Sequence, residues 1–120
     1  MARKKAGRLP SGEAIARRSR ELLDEKLAGD IIILDLRGLS TITDYFVICS
    51  AESRRQIKAL AEHVAAQLAN DGLRATHVEG LDDPSWVVID YFDAIVHIFD
   101  PETRELYNIE KLWGDAPRVD

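Results

Sequence analysis

The chain has 120 residues, of which 46% are hydrophobic, and this is enough apolar sequence for one globular core. No apolar run approaches the roughly 20 residues that a membrane-spanning helix requires, so no membrane association is expected. The single cysteine, Cys49, excludes an intramolecular disulfide and a cysteine-cluster metal site. The charged N-terminus is not followed by the apolar region of a secretory signal, and we expect a cytoplasmic protein.

Charge is distributed unevenly along the chain. Residues 1–20 contain seven Lys or Arg side chains and one acid, whereas the other hundred residues contain 9 basic and 20 acidic side chains. We expect residues 1–10 to form a disordered basic tail, which could make weak contacts with RNA. The acidic remainder repels nucleic acid phosphates and favours a basic partner.

The first elements in chain order are a helix and two strands. The sequence predicts a helix over residues 11–28 whose apolar stripe includes Leu27, with Gly29 just past the helix end. The nearly continuous apolar stretches 30–36 and 45–50 are typical of strands that are covered on both faces.

A second helix and a short strand follow. Ser53 and Gln56 can form a capping box for a helix that ends at Gly72 and has the strongest helical periodicity in the chain. Residues 73–79 alternate loosely and predict a short strand near a sheet edge. The preceding Cys49 is expected to be a small core residue.

The last third of the chain predicts a hairpin and a closing helix. Strands over residues 86–91 and 94–99 are joined at Phe92, and side chains along each strand alternate between two faces. Pro101 then begins one continuous helix that ends near Trp113. Its apolar stripe contains Leu106, Ile109, Leu112 and Trp113.

The resulting order of elements is α-β-β-α-β-β-β-α. It predicts an α/β fold, a single domain over residues 11–114 with a mixed β-sheet of about five strands flanked by helices. Residues 115–120 are expected to form a frayed tail.

Motifs of common catalytic sites are missing. The first strand-to-helix turn, residues 50–53, contains no glycine and therefore no phosphate-binding loop. The three histidines are scattered, so a zinc site is not expected. Asp90 and Asp93 flank the hairpin turn, and Asp35 and Asp44 border the first two strands. Converging carboxylates can hold catalytic metal ions, so a metal-dependent nucleotidyltransferase is the enzyme alternative.

Aromatic side chains favour a binding function instead, because Trp and Tyr often supply interface hot spots. Trp86 begins a strand beside an acidic loop, and Tyr107 and Lys111 lie four residues apart on the predicted last helix, where they share a face. Trp113, at the end of an apolar stripe, is expected in the core. His97 lies within an apolar strand, where a hydrogen-bonded core or sheet-face residue is expected and a partner contact is the alternative.

Several short motifs between about residues 12 and 113 carry a family resemblance. They are Asp30-Ile31 with Leu34-Asp35, Ser40 with residues 43–48, Ser53 with Gln56, Glu79-Gly80, Trp86 with Asp90, Asp93 with Val96-His97, and Tyr107 with residues 110–113. In this order and spacing they resemble the ribosomal silencing factor S family, also called the Iojap-like family.

The resemblance implies a fold related to the nucleotidyltransferases without their catalytic equipment, and hence a protein that is not an enzyme and uses no cofactor or metal. It implies binding to large-subunit ribosomal protein L-fourteen on the intersubunit face, where the bound factor blocks joining of the small subunit and represses translation. Organellar relatives are tied to ribosome assembly, and family members can form homodimers. A dimerisation module without a ribosomal role is a further alternative, and the basic tail could contact ribosomal RNA weakly.

The resemblance also implies which residues bind the partner. The aromatic residues that face the partner in the family map onto Trp86 and Tyr107. The expected partner-binding set is Trp86, Tyr107, Lys111, Asp90, Asp93 and His97. Many members have glycine where this chain has Phe92, and glycine tolerates a positive φ, so the conformation of the hairpin turn is left open.

Overall fold

The structure of the protein is a computed structural model that describes residues 10–120. The elements in this range are α1 (Gly12–Glu25), β1 (Gly29–Asp35), β2 (Tyr45–Ser50), α2 (Arg54–Asn70), β3 (His77–Glu79), β4 (Trp86–Asp90), β5 (Ala94–Phe99), α3 (Pro101–Tyr107) and α4 (Ile109–Leu112). None of the helices in residues 10–120 is long and apolar enough to cross a membrane. The predicted basic tail lies outside the described residues except for Pro10.

The strands form one mixed sheet in the order β1-β2-β5-β4-β3. β2 and β5 run parallel, and every other neighbouring pair is antiparallel. The predicted mixed sheet of five strands in a single α/β domain is confirmed, and β3 lies at an edge as expected. The relation to the nucleotidyltransferases stays a prediction from the resemblance.

The two faces of the sheet are covered differently. α1 and α2 pack on the first face over fully buried side chains such as Val47, Cys49 and Val96. The opposite face, which we call the second face, carries a smaller apolar cluster covered by α4 and the end of the chain. The side chains on it include Phe46, Ile48, Trp86, His97 and Phe99. The core is therefore concentrated under α1 and α2, and the second face is the more open one.

The hairpin turn between β4 and β5 has a defined conformation at Phe92, which the sequence left open. Phe92 has a φ of 70° and therefore adopts the left-handed conformation that glycine takes most easily. The Asp90 carboxylate accepts a hydrogen bond from the Phe92 N–H at 2.7 Å, which holds the turn. The Phe92 ring is 71% exposed, so packing offsets little of the backbone strain.

The end of α1 differs from the prediction. The helix ends at Glu25, and Leu27, not Gly29, takes the left-handed position with a φ of 62°. The N–H of Leu27 donates to the Asp24 carbonyl and the N–H of Ala28 to the Leu23 carbonyl, the pattern of a Schellman motif. Leu27 is 82% exposed and is not part of the buried stripe.

The prediction that residues 30–36 form an interior strand is wrong. β1 is at the edge of the sheet. Residues 115–120, predicted to be frayed, run along its open side: the Asp35 N–H donates to the Pro117 carbonyl at 2.8 Å and the Val119 N–H to the Ile33 carbonyl at 2.9 Å. Residues 115–120 and α1 together cover β1, and this explains its apolar run.

The predicted single last helix is divided. α3 ends at Tyr107, and Asn108 adopts a left-handed conformation with a φ of 44° before α4 begins. Leu106 and Leu112 are each 77% exposed, whereas Ile109 and Trp113 pack on the second face. Because the helix is broken, the i, i+4 spacing that placed Tyr107 and Lys111 on one face does not apply.

Candidate partner-binding site

Trp86 is the centre of an aromatic cluster on the second face. It begins β4 and pairs with Phe99 of β5, so their rings stack with centroids 4.8 Å apart and planes 27° apart. The Ser85 carbonyl accepts the Asp100 N–H at 2.9 Å, which ties the start of β4 to the end of β5. The indole is partly exposed and firmly backed by the sheet.

Gly80 allows the loop before β4 to pass close to Trp86. Its φ is +94°, and a Cβ at this position would lie 2.2 Å from the backbone carbonyl oxygen of Trp86. A side chain there would be strained in conformation and would collide with backbone that cannot move independently of the sheet. The Glu79-Gly80 motif thus has a structural reason in the placement of Trp86.

Tyr107 covers part of the Trp86 indole. Asp100 caps α3 by accepting the Thr103 N–H at 2.7 Å, and Pro101 occupies the first turn, so the helix begins directly after β5. Tyr107 ends this short helix with its ring centroid 4.9 Å from that of Trp86. It is 56% exposed, and the two predicted aromatic anchors therefore form one accessible pair.

His97 lies under the pair and is buried, with 6% of its surface exposed. Its Nδ1 accepts a hydrogen bond from Trp86 Nε1 at 3.1 Å, which confirms the expectation of a hydrogen-bonded sheet-face residue. Burial lowers the pKa of His97 to about 4, so the ring is neutral near pH 7. A partner contact by His97 itself stays a prediction, and its burial argues against one.

Phe46 and Trp113 extend the aromatic row across the sheet. The Phe46 ring centroid is 4.4 Å from that of His97 and 6.3 Å from that of Trp113, with both pairs close to perpendicular. Trp113 is partly buried in the cluster on the second face. The predicted site residues included neither Phe46 nor Phe99. Strand alternation predicts that Phe46 and Ile48 share one face of a strand. It does not predict which residues of β5 lie beside them, because a long crossover connects the two strands.

Asp90 and Asp93, the acidic residues of the predicted site, lie away from the aromatic pair. Asp90 is at the far end of β4 from Trp86, about 13 Å away for four residues of extended strand. Asp93 follows in the hairpin turn, where its backbone carbonyl accepts the Asp44 N–H at 3.3 Å. Lys111 is exposed on α4. The structure thus joins Trp86, Tyr107 and His97 and does not join Asp90 or Asp93 to them.

The helical segment beside the aromatic pair is anchored by a partly buried ion pair. Arg104 of α3 donates to the Glu110 carboxylate at 2.6 Å and to the Ser50 hydroxyl at 2.8 Å. These bonds fix α3 against α4 and β2. The exposed surface that remains around Tyr107 includes Leu106 and Glu105, so it combines apolar area with negative charge.

Comparison with known proteins identifies the family. The family model described as "Ribosomal silencing factor during starvation" matches residues 10–120. The chain belongs to this family. It is 43% identical over 97 residues to the ribosomal silencing factor of Bacillus subtilis, a match that covers 81% of this chain and 82% of the relative.

Two further similar proteins extend the comparison. A mouse protein named "Mitochondrial assembly of ribosomal large subunit protein 1" is 34% identical over 95 residues, which cover 77% of this chain and 42% of that protein. An X-ray structure of a Chromobacterium violaceum protein superposes with a TM-score of 0.85 at 33% identity, covering 88% of each chain. The fold described above is therefore shared with a solved structure.

Two carboxylates that the nucleotidyltransferase alternative would use, Asp35 and Asp90, have contacts within the fold. Asp35 pairs with the Arg37 guanidinium at 2.7 Å, which lowers the pKa of that carboxyl group, and Asp90 holds the hairpin turn. Within residues 10–120, no group of three or more His, Cys, Asp or Glu side chains could hold a metal ion.

Proposed function

We propose that this protein binds the large ribosomal subunit through the aromatic pair on the second face of its sheet and thereby prevents the small subunit from joining. Ribosomal protein L-fourteen is the proposed contact, and repression of translation is the proposed outcome. The observation that carries the proposal is the accessible pair of Trp86 and Tyr107, backed by the sheet on a face that the helices cover only in part.

The aromatic pair has the properties of an interface hot spot. Trp and Tyr contribute large rigid surfaces at a low cost in conformational entropy, and here the Trp86 indole is already held by Phe99. Leu106, the largely exposed neighbour of Tyr107 in the chain, adds apolar area. A standard interface buries about 800 Å² on each partner, which a domain of this size can supply.

Charge favours a basic partner. Residues 10–120 contain 12 Lys or Arg side chains and 21 Asp or Glu side chains. Such a surface attracts the basic surface of a ribosomal protein and raises the rate of association, while it repels exposed RNA phosphates. Blocking a subunit joint requires an obstacle that is held in place and no chemical step, which agrees with a protein that is not an enzyme.

Two related roles would use the same contact. The mouse relative is named for assembly of the large ribosomal subunit, and a bound silencing factor could also assist maturation of that subunit. A homodimer formed through the second face would cover Trp86 and Tyr107 and would therefore compete with the ribosome. With ribosomes as the target, we expect the protein to act in the cytoplasm.

Light scattering of mixed ribosomal subunits tests the proposal. Addition of the protein to large subunits before small subunits should suppress the rise in scattering that marks joining, and Tyr107→Ala should weaken this suppression at equal thermal stability. Titration of purified ribosomal protein L-fourteen into the protein should release heat that the variant reduces. Normal joining in the presence of saturating protein would overturn the proposal. Heat from magnesium and nucleotide that depends on Asp90 would favour the enzyme alternative.

A further inference from the structure

The hydrogen bond beneath the Trp86 indole determines which part of the ring a partner can contact. The indole has one donor, Nε1, and it donates to Nδ1 of His97 at 3.1 Å. Because Nδ1 accepts, the proton of the neutral imidazole is on Nε2. The bond lies below the surface, since His97 is 6% exposed. The indole therefore presents apolar ring surface outward, and its only polar atom is already bonded within the protein.

The other ring contacts of Trp86 constrain its orientation less strictly. The stack on Phe99 at 4.8 Å and the contact with Tyr107 at 4.9 Å are interactions between ring surfaces, which tolerate sliding and in-plane rotation. A hydrogen bond is directional. Turning the indole over would leave Nδ1 of His97 buried without a donor, which is unfavourable because a buried acceptor loses its hydrogen bond to water without replacement. Among the contacts of the described chain, this bond selects one of the ring orientations that stacking permits.

His97 lies at a rigid position in the sheet, from which it can hold the Trp86 indole in place. It lies in β5, which has a neighbouring strand on each side, and it pairs with Val88 of β4 and Ile48 of β2. Its Nε2 is buried and has no hydrogen-bond partner in residues 10–120, with the Phe46 ring nearly perpendicular at 4.4 Å. A buried polar ring carries a desolvation cost that an apolar side chain of the same size would avoid. The bond to Trp86 supplies a reason for histidine at this position.

We propose that His97 is a positioning residue that fixes the Trp86 indole in the orientation that the partner meets, and that it does not touch the partner. This inference rests on the proposed function, because it concerns how the proposed anchor is held. It differs from the expectation that His97 itself belongs to the contact surface. It also means that a partner gains ring contact from Trp86 and no hydrogen bond from the indole.

Two variants at position 97 separate the effect of the hydrogen-bond acceptor from the effect of the aromatic ring. His97→Phe keeps an aromatic ring and removes the acceptor, whereas His97→Asn is smaller but can place its carbonyl oxygen near the position of Nδ1. In a proton–nitrogen NMR spectrum, hydrogen exchange of the Trp86 indole N–H should accelerate about tenfold or more in His97→Phe and stay slow in His97→Asn. The indole N–H of Trp113, which is not bonded to His97, is the internal reference.

Binding to large subunits should follow the indole signal. We expect His97→Phe to weaken binding roughly tenfold, the factor that corresponds to about 1.4 kcal/mol, and His97→Asn to bind within about threefold of the wild type. In a Trp86→Phe background, which lacks the donor, His97→Phe should have no further effect. Thermal unfolding of each variant shows whether it folds, and His97→Gln is a second variant whose acceptor is displaced.

The outcomes distinguish this inference from the proposed function. If His97→Phe loses the protected indole signal but binds normally, the positioning role is overturned and ribosome binding is untouched. Additive effects of Trp86→Phe and His97→Phe would also overturn it. If Trp86→Ala and Tyr107→Ala both bind normally, the proposed interface is wrong whatever the NMR signal shows. If His97→Phe does not fold, weaker binding by His97→Gln than by His97→Asn at equal stability supports the role, and equal binding overturns it.

Discussion

Replacing Phe92 with glycine should reverse the usual order of stability between glycine and alanine. Phe92 has a φ of 70°, and a residue with a Cβ pays roughly 1–2 kcal/mol for this left-handed conformation. Glycine avoids that strain but loses about 0.4–1 kcal/mol through the greater freedom of its unfolded chain. We therefore expect Phe92→Gly to be more stable than Phe92→Ala by about 0.5–1 kcal/mol.

The comparison with alanine removes the contribution of the ring. Phe92 is 71% exposed, so both substitutions lose the same small burial, up to about 1 kcal/mol. A matched control is Ala66→Gly at an exposed position of α2, where glycine should cost about 1 kcal/mol. The diagnostic quantity is the sign of the difference between glycine and alanine, which should be opposite at the two sites.

Urea unfolding followed by circular dichroism measures these free energies. The midpoint should rise from Phe92→Ala to Phe92→Gly with an unchanged slope, and it should fall from the wild type to Ala66→Gly. If glycine is the less stable residue at both positions, the hairpin turn does not hold residue 92 in the left-handed conformation.

Three further outcomes test the fold. Gly80→Ala should lower the free energy of unfolding by more than about 2 kcal/mol, because the alanine Cβ would lie 2.2 Å from the Trp86 carbonyl oxygen. A near-normal urea midpoint would contradict this packing. Deletion of residues 115–120 should lower the melting temperature by several degrees in calorimetry, since it removes the pairing with β1; an unchanged melting temperature would mean that this segment is frayed after all. Burial lowers the pKa of His97 from 6.5 to about 4, so the unfolded chain takes up a proton between these values that the folded chain does not. Stability should therefore fall as pH drops below 6.5, by about 1 kcal/mol at about pH 5.5 relative to about pH 7.5, and this loss should be smaller in His97→Asn when unfolding is measured at each pH.

Local sequence signals predicted the parts of the fold that depend on neighbouring residues. The Ser53 hydroxyl accepts the Gln56 N–H at 3.1 Å, as the capping motif indicates, and strand alternation assigned the side chains of β4 and β5 to the correct faces. The broken last helix could not be predicted in the same way. Its apolar spacing continues through Asn108, whereas the partly buried Arg104–Glu110 pair, which holds the two short helices together, depends on tertiary packing.

Long-range pairing limited what could be predicted about the sheet and the site. The apolar run of β1 resembles an interior strand because its open side is covered by residues from the other end of the chain. Trp86 and Tyr107 were chosen on residue type and on the family resemblance, and the structure brings their rings together. Phe99 and Phe46 were not identified, because their places beside Trp86 and His97 follow from strand register across the hairpin and the crossover.

Co-sedimentation with free large ribosomal subunits tests the central claim most directly, namely that the open aromatic face of the sheet is the binding surface. The matched control is Lys58→Ala with Glu62→Ala, which removes two exposed side chains from α2 over the opposite face and keeps the net charge. We predict that the wild type and the control move with the large subunit, and that Trp86→Ala with Tyr107→Ala stays at the top of the gradient although it remains folded. Normal co-sedimentation of the aromatic double variant would contradict the account.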